Sequence, residues 1–302
     1  MATPRRAAWG FLAPFFVLFT LFTVYPLARA AVLAVQQTYG PGTERFVGLD
    51  NFKALAADPL FWKAVRNTTV YTTTTVLIQL PLSLLFAMML NRPGLRGRAF
   101  YRLVFFSPAL VGVVFVGMIF GVIFEKRTGL LNQFLHAVIG WDLDFPWMQN
   151  YVMPSLVIAT LWQYMGYNMI YFLAALQNVP RELTEASEID GAGPVRRFVS
   201  VTWPSIRPVA TFVILLSVIG SFQLFELPWV LLNSAAGPDN RGLTVVMYLY
   251  QRGFETGDLG YASAIGWMLG MLLVVCAVVQ RRLSRGEESV CCLLYTSPRP
   301  RD

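Results

Sequence analysis

An all-α integral membrane protein with about six transmembrane helices is the fold class this sequence predicts, and three observations carry the prediction. The 302-residue chain is 56% hydrophobic and only 14% charged, with a mean hydropathy of +0.53, whereas a soluble domain of that length needs far more charged surface. Several apolar stretches reach the about 20 residues that cross about 30 Å of hydrocarbon as a helix. The net charge of +7 comes mainly from arginines in short connections and at the chain ends, alternating with the apolar runs. A nucleic-acid reader would gather those cations on one exposed face, so they are topology signals, and no nucleic-acid partner is expected.

The first span is expected over about 8–35, after Arg5 and Arg6. Ala28-Arg29-Ala30 has the small-x-small form of a signal-peptide cleavage site, but the apolar run before it exceeds the usual about 7–15 residues, which favours a retained helix. Pro14 and Pro26 are expected to kink it, as neighbouring helices permit. Residues 36–65 read as an amphiphilic connection, with Leu49, Phe52 and Leu55 at helical spacing and Phe61 and Trp62 suited to the interface. The second span, 66–90, holds a run of threonines and Pro81. Arg92, Arg96 and Arg98 then occupy a short loop without an acid, which the positive-inside rule assigns to the cytoplasm.

The third span is expected over 100–124, followed by an outer connection with His136, Asp142 and Asp144. The fourth covers 152–176. An inner segment, 178–207, carries Arg181, Arg196 and Arg197, the fifth span covers 209–232, and the sixth covers 261–279 and ends on Arg281, Arg282 and Arg285. Both termini then lie in the cytoplasm, although the first outer connection also carries Arg45, Lys53 and Lys63. Gly117/Gly121 and Gly266/Gly270 are GxxxG pairs that permit close helix contact. From about Val290 the sequence VCCLLYTSPRPRD has no structural period. It reads as the translation of a sequencing adapter, with a natural disordered cytoplasmic tail as the alternative, so residues 290–302 are set apart from a transmembrane domain of 1–289.

Catalysis is not expected. There is one histidine, and no GxxxxGK[ST] loop to cradle a nucleotide phosphate. The cysteines make no CxxC or metal spacing. Asp142 and Asp144 could help hold a divalent ion, but a solvated loop is the favoured reading, and no metal or cofactor is assigned to this chain.

The informative segment is NVPRELTEASEIDGAGPVRRFVSVTWPSIRP, within 178–208. It reads as two short helices joined at Gly191-Ala192-Gly193. Asn178 suits the first cap, Pro180 the first turn, and Glu182 the positive end of the helix dipole. Glu182, Glu185 and Glu188 recur along one edge. Gly191 supplies the left-handed residue that ends a helix, and Pro194 opens the second, with Pro204 and Pro208 before the next span. An amphipathic hairpin lying on lipid is the alternative, but an acidic edge suits an anionic leaflet poorly. A cytoplasmic protein partner explains it better.

Glu185-Ala186-Ser187, three residues, Gly191, nine residues and then Val201-Thr202-Trp203-Pro204 resembles the EAA signature of ABC importer permeases, which reads EAA, three residues, G, nine residues, IxLP. Ser187, Val201 and Trp203 depart from it, the last being bulkier than the family's leucine. WQYMGYNMIYFLAALQNVP before the motif, FVGLDNFKAL after the first span and GYASAIGW at the last one resemble the sugar-permease branch, and WGFLAPFFVLFTLFTVYPLARA resembles the first permease of such pairs. The resemblance covers nearly all of 8–285. It implies a type I importer fold, multi-pass in the bacterial plasma (inner) membrane. It also implies a second homologous permease, two ATPase subunits holding ATP and Mg, and an external solute-binding protein. Glu185, Ala186, Ser187, Asp190, Gly191, Ala192 and Pro204 would form the coupling element in a groove of the ATPase.

Polar groups inside a membrane are expensive and mark function by default. Thr160, Gln163, Tyr164, Tyr167 and Tyr171 follow helical spacing in the fourth span, beside Trp162, and Ser217, Gly220, Gln223 and Glu226 wind along the fifth. Gln163, Tyr167, Gln223 and Glu226 are the candidate sugar contacts, since sugars favour aromatic faces with amides and carboxylates. Helix–helix packing is the alternative. An ion-coupled transporter would need more spans and acid pairs, and Glu226 is the one firmly intramembrane carboxylate. The sugar itself stays open, from monosaccharide to oligosaccharide or glycerol-3-phosphate.

Overall fold

The computed structural model describes residues 4–38, 44–92 and 94–285; the segment 290–302, expected to be adapter-derived, lies outside the described residues. Helix α1 (Pro4–Phe19), a π turn (Thr20–Val24) and α2 (Tyr25–Ala34) run on without interruption. Pro14 sits inside α1 without breaking it. The π turn directly precedes Pro26, where the ring removes one backbone donor and crowds the preceding turn. The connection 36–65 is more ordered than an amphiphilic linker. It contains the antiparallel pair β1 (Gln36–Thr38) and β2 (Glu44–Phe46), with Gln37 opposite Arg45, and then α3 (Asp50–Ala57). Helix α4 (Pro59–Asn91) starts well before residue 66 and passes straight through Pro81.

The third span departs from expectation. Helix α5 (Arg98–Phe106), a 3-10 turn (Ser107–Leu110) and α6 (Val113–Ile123) replace one straight helix over 100–124, and the two arms are bent by 96°. Pro108 withholds an N–H and Gly112 is extended (φ −60°, ψ 141°), so the ladder stops there although the apolar run continues. Helices α7 (Leu130–Ile139) and α8 (Trp147–Asn150) fill the next connection, and α9 (Val152–Gln177) matches the fourth span.

Helix α10 (Arg181–Ile189) ends at the glycine break; α11 (Pro194–Arg197), a π turn (Phe198–Thr202) and α12 (Trp203–Phe222) then form one continuous path. Two expectations change here. The second helix of the loop is the start of the fifth span, running over Pro194–Phe222 as 29 residues, with Pro204 and Pro208 inside it. The helix also stops at Phe222 instead of reaching 232. Gln223 leaves helical geometry and Phe225 lies at φ −138°, ψ −58° before the short α13 (Glu226–Leu231). Beyond a 3-10 turn (Pro238–Asn240) come α14 (Val245–Tyr250), a π turn (Gln251–Glu255) and α15 (Leu259–Arg285). Among the described residues, four helices are long and apolar enough to cross a membrane, and a fifth if the bent pair is one span. Helix α9, 26 residues long, falls short of that apolarity because of its polar stripe.

The packing divides the described residues into two units, one within 1–62 and 245–272 and one within 63–244 and from 273 to 285. In the first, Asn51 from the FVGLDNFKAL segment donates its amide to the carbonyls of Ala34 (3.0 Å) and Gln36 (2.8 Å), pinning α2 and β1 to α3. Gly260 from GYASAIGW donates its N–H to Thr38 Oγ1 at 2.9 Å, and a Cβ on it would stand 1.9 Å from the Gln36 carbonyl oxygen. Both segments are therefore scaffold.

Asp58 caps α4, accepting from the Leu60 N–H at 2.9 Å. Its other oxygen accepts from the hydroxyls of Tyr248 and Tyr261, the latter at 2.7 Å, while Arg252 donates to Tyr248 Oη at 2.9 Å and lies over both rings. Burial pushes the Asp58 carboxyl up, but the two tyrosine hydroxyls and the backbone donors outweigh it and hold it below the usual carboxylate value. Asp58→Asn should lower stability by about 1–3 kcal/mol, read as a thermal shift in detergent. A depressed folded pKa gives stability that is full above the unfolded value, about 3.9, and lost as pH falls through the folded one. The difference between wild type and variant should thus persist at pH 5–8 and close below about pH 4.

Among its described residues the second unit has two apolar clusters. Tyr71, Val116, Phe120, Phe124, Leu156, Leu227 and Leu231 join α4, α6, α9 and α13. Leu80, Ala87, Met169, Phe172, Leu173, Ile206 and Ala210 join α4, α9 and α12. Gly117 lets α6 meet α13, since a Cβ there would be 2.9 Å from Val230, and Gly166 lets α9 meet the end of α5, where a Cβ would be 1.7 Å from the Phe105 carbonyl oxygen.

Candidate functional site

Two sites collect the polar residues of the second unit. The first is a cavity of about 420 Å³ whose walls come from α4, α9, α12, the 223–225 break and α13. Thr160, Gln163, Tyr164, Tyr167 and Tyr171 all line it from α9, and Ser217 and Gly220 line it from α12. Gln223 and Glu226 also line it, so all four candidate contacts are brought together. They do so in a different way from a continuous stripe: Gln223 closes α12, and Glu226 opens α13. The break that separates them is built in, because Thr244 Oγ1 donates to the freed Leu224 carbonyl at 2.7 Å.

Gln163 is 2% exposed. Its Nε2 donates to the Val111 carbonyl at 3.1 Å, a group released by the bend between α5 and α6. Its Oε1 is buried and has no partner in the structure. One end of this amide therefore packs helices, and the other is enclosed within the cavity wall. Tyr167 and Tyr171 share a hydroxyl–hydroxyl bond of 2.9 Å with their rings edge to face, leaving Tyr167 half-exposed. Gln223 and Glu226 are exposed to the cavity. Tyr71, Gln79 and Asn168 also line it and were not picked out from the sequence. The available signal was the spacing of Thr68, Thr72, Thr75, Gln79 and Ser83, a polar stripe along one helix face in an apolar span, and all five are buried. Trp162 stands apart, packed on Phe120.

The second site is the acidic hairpin. Helix α10 begins after Pro180 with Glu182 in its first turn. Asn178 does not cap it; its amide donates to the Ala174 carbonyl at 3.0 Å and finishes α9 instead. At the other end Gly191 has φ +73°, its N–H bonds the Glu188 carbonyl at 3.0 Å, and the Ala192 N–H bonds the Ser187 carbonyl at 2.9 Å. That pair of bonds is a Schellman closure, which needs a residue in the left-handed region. Arg197 pairs with Glu188 across the turn. Glu185, Ala186, Asp190, Gly191 and Pro204 are exposed, and Ser187 and Ala192 half-buried. Six of the seven thus lie along α10 and its closing turn, with Pro204 on the helix beyond.

The outer acids make no site. Asp142 accepts from the Asp144 N–H at 2.9 Å, and His136 Nδ1 bonds the Trp141 carbonyl at 2.8 Å, so all three close turns. Among the described residues no cluster of three His, Cys, Asp or Glu side chains could hold a metal.

Residues 79–286 match the family described as the binding-protein-dependent transport system inner membrane component. The chain is 39% identical over 274 residues to the arabinooligosaccharides transport system permease protein AraP of Halalkalibacterium halodurans, spanning 90% of this chain and 86% of that one. It is 33% identical over 296 residues to the lactose transport system permease protein LacF of Rhizobium radiobacter, spanning 93% and 97%. Its fold is that of a chain in the crystal structure of a bacterial ABC transporter involved in the import of the acidic polysaccharide alginate, with a TM-score of 0.81, 20% identity, and 93% and 96% of the two chains covered. The chain belongs to the inner-membrane components of binding-protein-dependent transport systems, as a multi-pass permease subunit of an ABC importer.

Proposed function

We propose that this chain is one of two homologous permeases of a sugar importer, and that it forms half of the pathway while a separate ATPase subunit binds ATP and Mg. Relatives named for arabinooligosaccharides, at 39% identity, and for lactose, at 33%, support a saccharide ahead of the sn-glycerol-3-phosphate named for relatives at 31–32%, as does a cavity walled by tyrosines, amides and one carboxylate. The family description supports an external binding protein, and the arginine-rich inner loops support cytoplasmic termini.

The observation that carries the reading is a continuity. The hairpin closed by Gly191 leads into one helix, Pro194–Phe222, whose far half lines the cavity through Val213, Ser217 and Gly220. Glu185, Ala186, Ser187, Asp190, Gly191, Ala192 and Pro204 then engage the ATPase, and closure of the ATPases around ATP is transmitted along that helix to the wall holding the sugar. Differential binding of ATP to the two permease states supplies the drive.

Co-expression with the genes beside it, purification through a tag on this chain and reconstitution in liposomes tests the reading. An ATPase and a second permease should co-purify, and uptake of saccharide should need ATP and the binding protein; proton-driven uptake by this chain alone would overturn it. In the same system Gln223→Ala should reduce uptake by about threefold to tenfold and Glu226→Gln by about tenfold to a hundredfold, from hydrogen bonds of about 0.5–1.5 and about 1.5–3 kcal/mol. Complex yield should be unchanged in both. A parallel fall in yield and thermal stability would mark the two residues as packing groups.

A further inference from the structure

The cavity is one-sided in charge. Glu226 is its carboxylate, and no lysine, arginine or histidine lines it among the described residues. Gln163 lies in the wall with its amide held on the Val111 carbonyl and its oxygen enclosed, so Glu226 sets the charge of the space. That balance admits a neutral or cationic ligand and rejects one carrying negative charge. The fold does not decide this, since the same fold serves an acidic polysaccharide in the alginate transporter.

We infer that this permease's cavity is an anion-excluding filter set by Glu226, so that the cargo is a neutral or cationic polyhydroxyl compound, and uronates and sugar phosphates are turned away at this step. The inference rests on the pathway reading above, because the filter acts only on what enters the cavity. By Coulomb's law, a single charge about 5 Å from the carboxylate is disfavoured about fourfold at the dielectric constant of water and about a few hundredfold at an effective value of about 20. A low-dielectric wall focuses that field into the cavity.

Gly220 allows a direct test. It lines the cavity, and a Cβ there meets nothing within 4 Å, so Gly220→Cys adds a thiol with little perturbation. Cys276, Cys291 and Cys292 are first replaced by serine, and the assembled transporter is studied in liposomes. Labelling rates are measured with the cationic reagent MTSET, the anionic MTSES and the neutral methyl methanethiosulfonate, each normalised to a free thiol in solution. The cation-to-anion ratio should exceed the solution ratio by at least about fourfold, and adding Glu226→Gln should return it to within about twofold. A ratio equal to that of the free thiol, or one that Glu226→Gln leaves unchanged, overturns the filter while leaving the pathway intact. Absence of labelling by the neutral reagent, with and without ATP, overturns the pathway reading and the filter with it.

Discussion

Gly191→Val is expected to reach the membrane at wild-type level, to assemble, and to lose at least about tenfold of ATP-driven uptake. Gly191 is exposed with φ +73°, and a Cβ built on it meets nothing within 4 Å. No core contact is at risk, so the substitution acts through the backbone alone. The left-handed conformation costs an ordinary L residue about 1–2 kcal/mol, and a β-branched one is still less tolerant. The chain relieves that strain by abandoning the closure at Ser187 and Glu188, which re-aims α10 relative to the helix that follows. The series Gly, Asn, Ala, Val should therefore rank uptake in that order, because asparagine enters the left-handed region most readily after glycine. Basal ATP hydrolysis should persist while its stimulation by the binding protein falls with uptake. If valine transports normally, or if asparagine is no better than valine, the turn does not set coupling.

The hairpin was legible because its signals are local. A glycine at the helix end and a proline at the next first turn act on their own neighbours, and the structure uses both. Asn178 shows the limit of such reasoning, since its amide serves the helix behind it, a choice between two adjacent helix ends that spacing does not resolve. The breaks at 111–112 and 223–225 were hidden by apolar runs that continue across them. Prolines did not mark them either: Pro14, Pro81, Pro204 and Pro208 lie inside continuous helices, whereas Pro108 precedes a sharp bend. What separates these cases is whether neighbouring groups satisfy the freed carbonyls, and that is a tertiary property. Gln163 on Val111 and Thr244 on Leu224 do so at the two breaks. The cost of intramembrane polarity located Gln163, Tyr167, Gln223 and Glu226 from sequence; Gln79 belongs to the polar stripe of α4 that spacing alone shows, but Tyr71 and Asn168 needed the packing of α4 against α9 to be seen.

Gly166→Ala should be the most damaging one-methyl change in the second unit. The added Cβ would stand 1.7 Å from the Phe105 carbonyl oxygen, 2.4 Å from its carbon and 3.0 Å from the Phe106 nitrogen. These are backbone atoms, which cannot rotate aside as a side-chain tip would, so α5 and α9 must separate by more than about 1 Å. Overpacking costs about 1–3 kcal/mol where a core adapts and more where it does not, and here the rigid partner puts the cost at the upper end or beyond. Gly117→Ala meets the Val230 side chain at 2.9 Å and Gly121→Ala meets nothing within 4 Å, which provides a graded control within one type of substitution. Alanine favours a helix by about 1 kcal/mol over glycine, so Gly121→Ala should be neutral or stabilising in the isolated chain, Gly117→Ala mildly destabilising, and Gly166→Ala severely so. Thermal unfolding of the purified chain in detergent reads that order. Gly166 lies between Gln163 and Tyr167 on α9, so a displaced helix also moves the cavity wall, and uptake should fall together with yield. A Gly166→Ala protein as stable as Gly121→Ala would mean that α5 and α9 do not approach this closely.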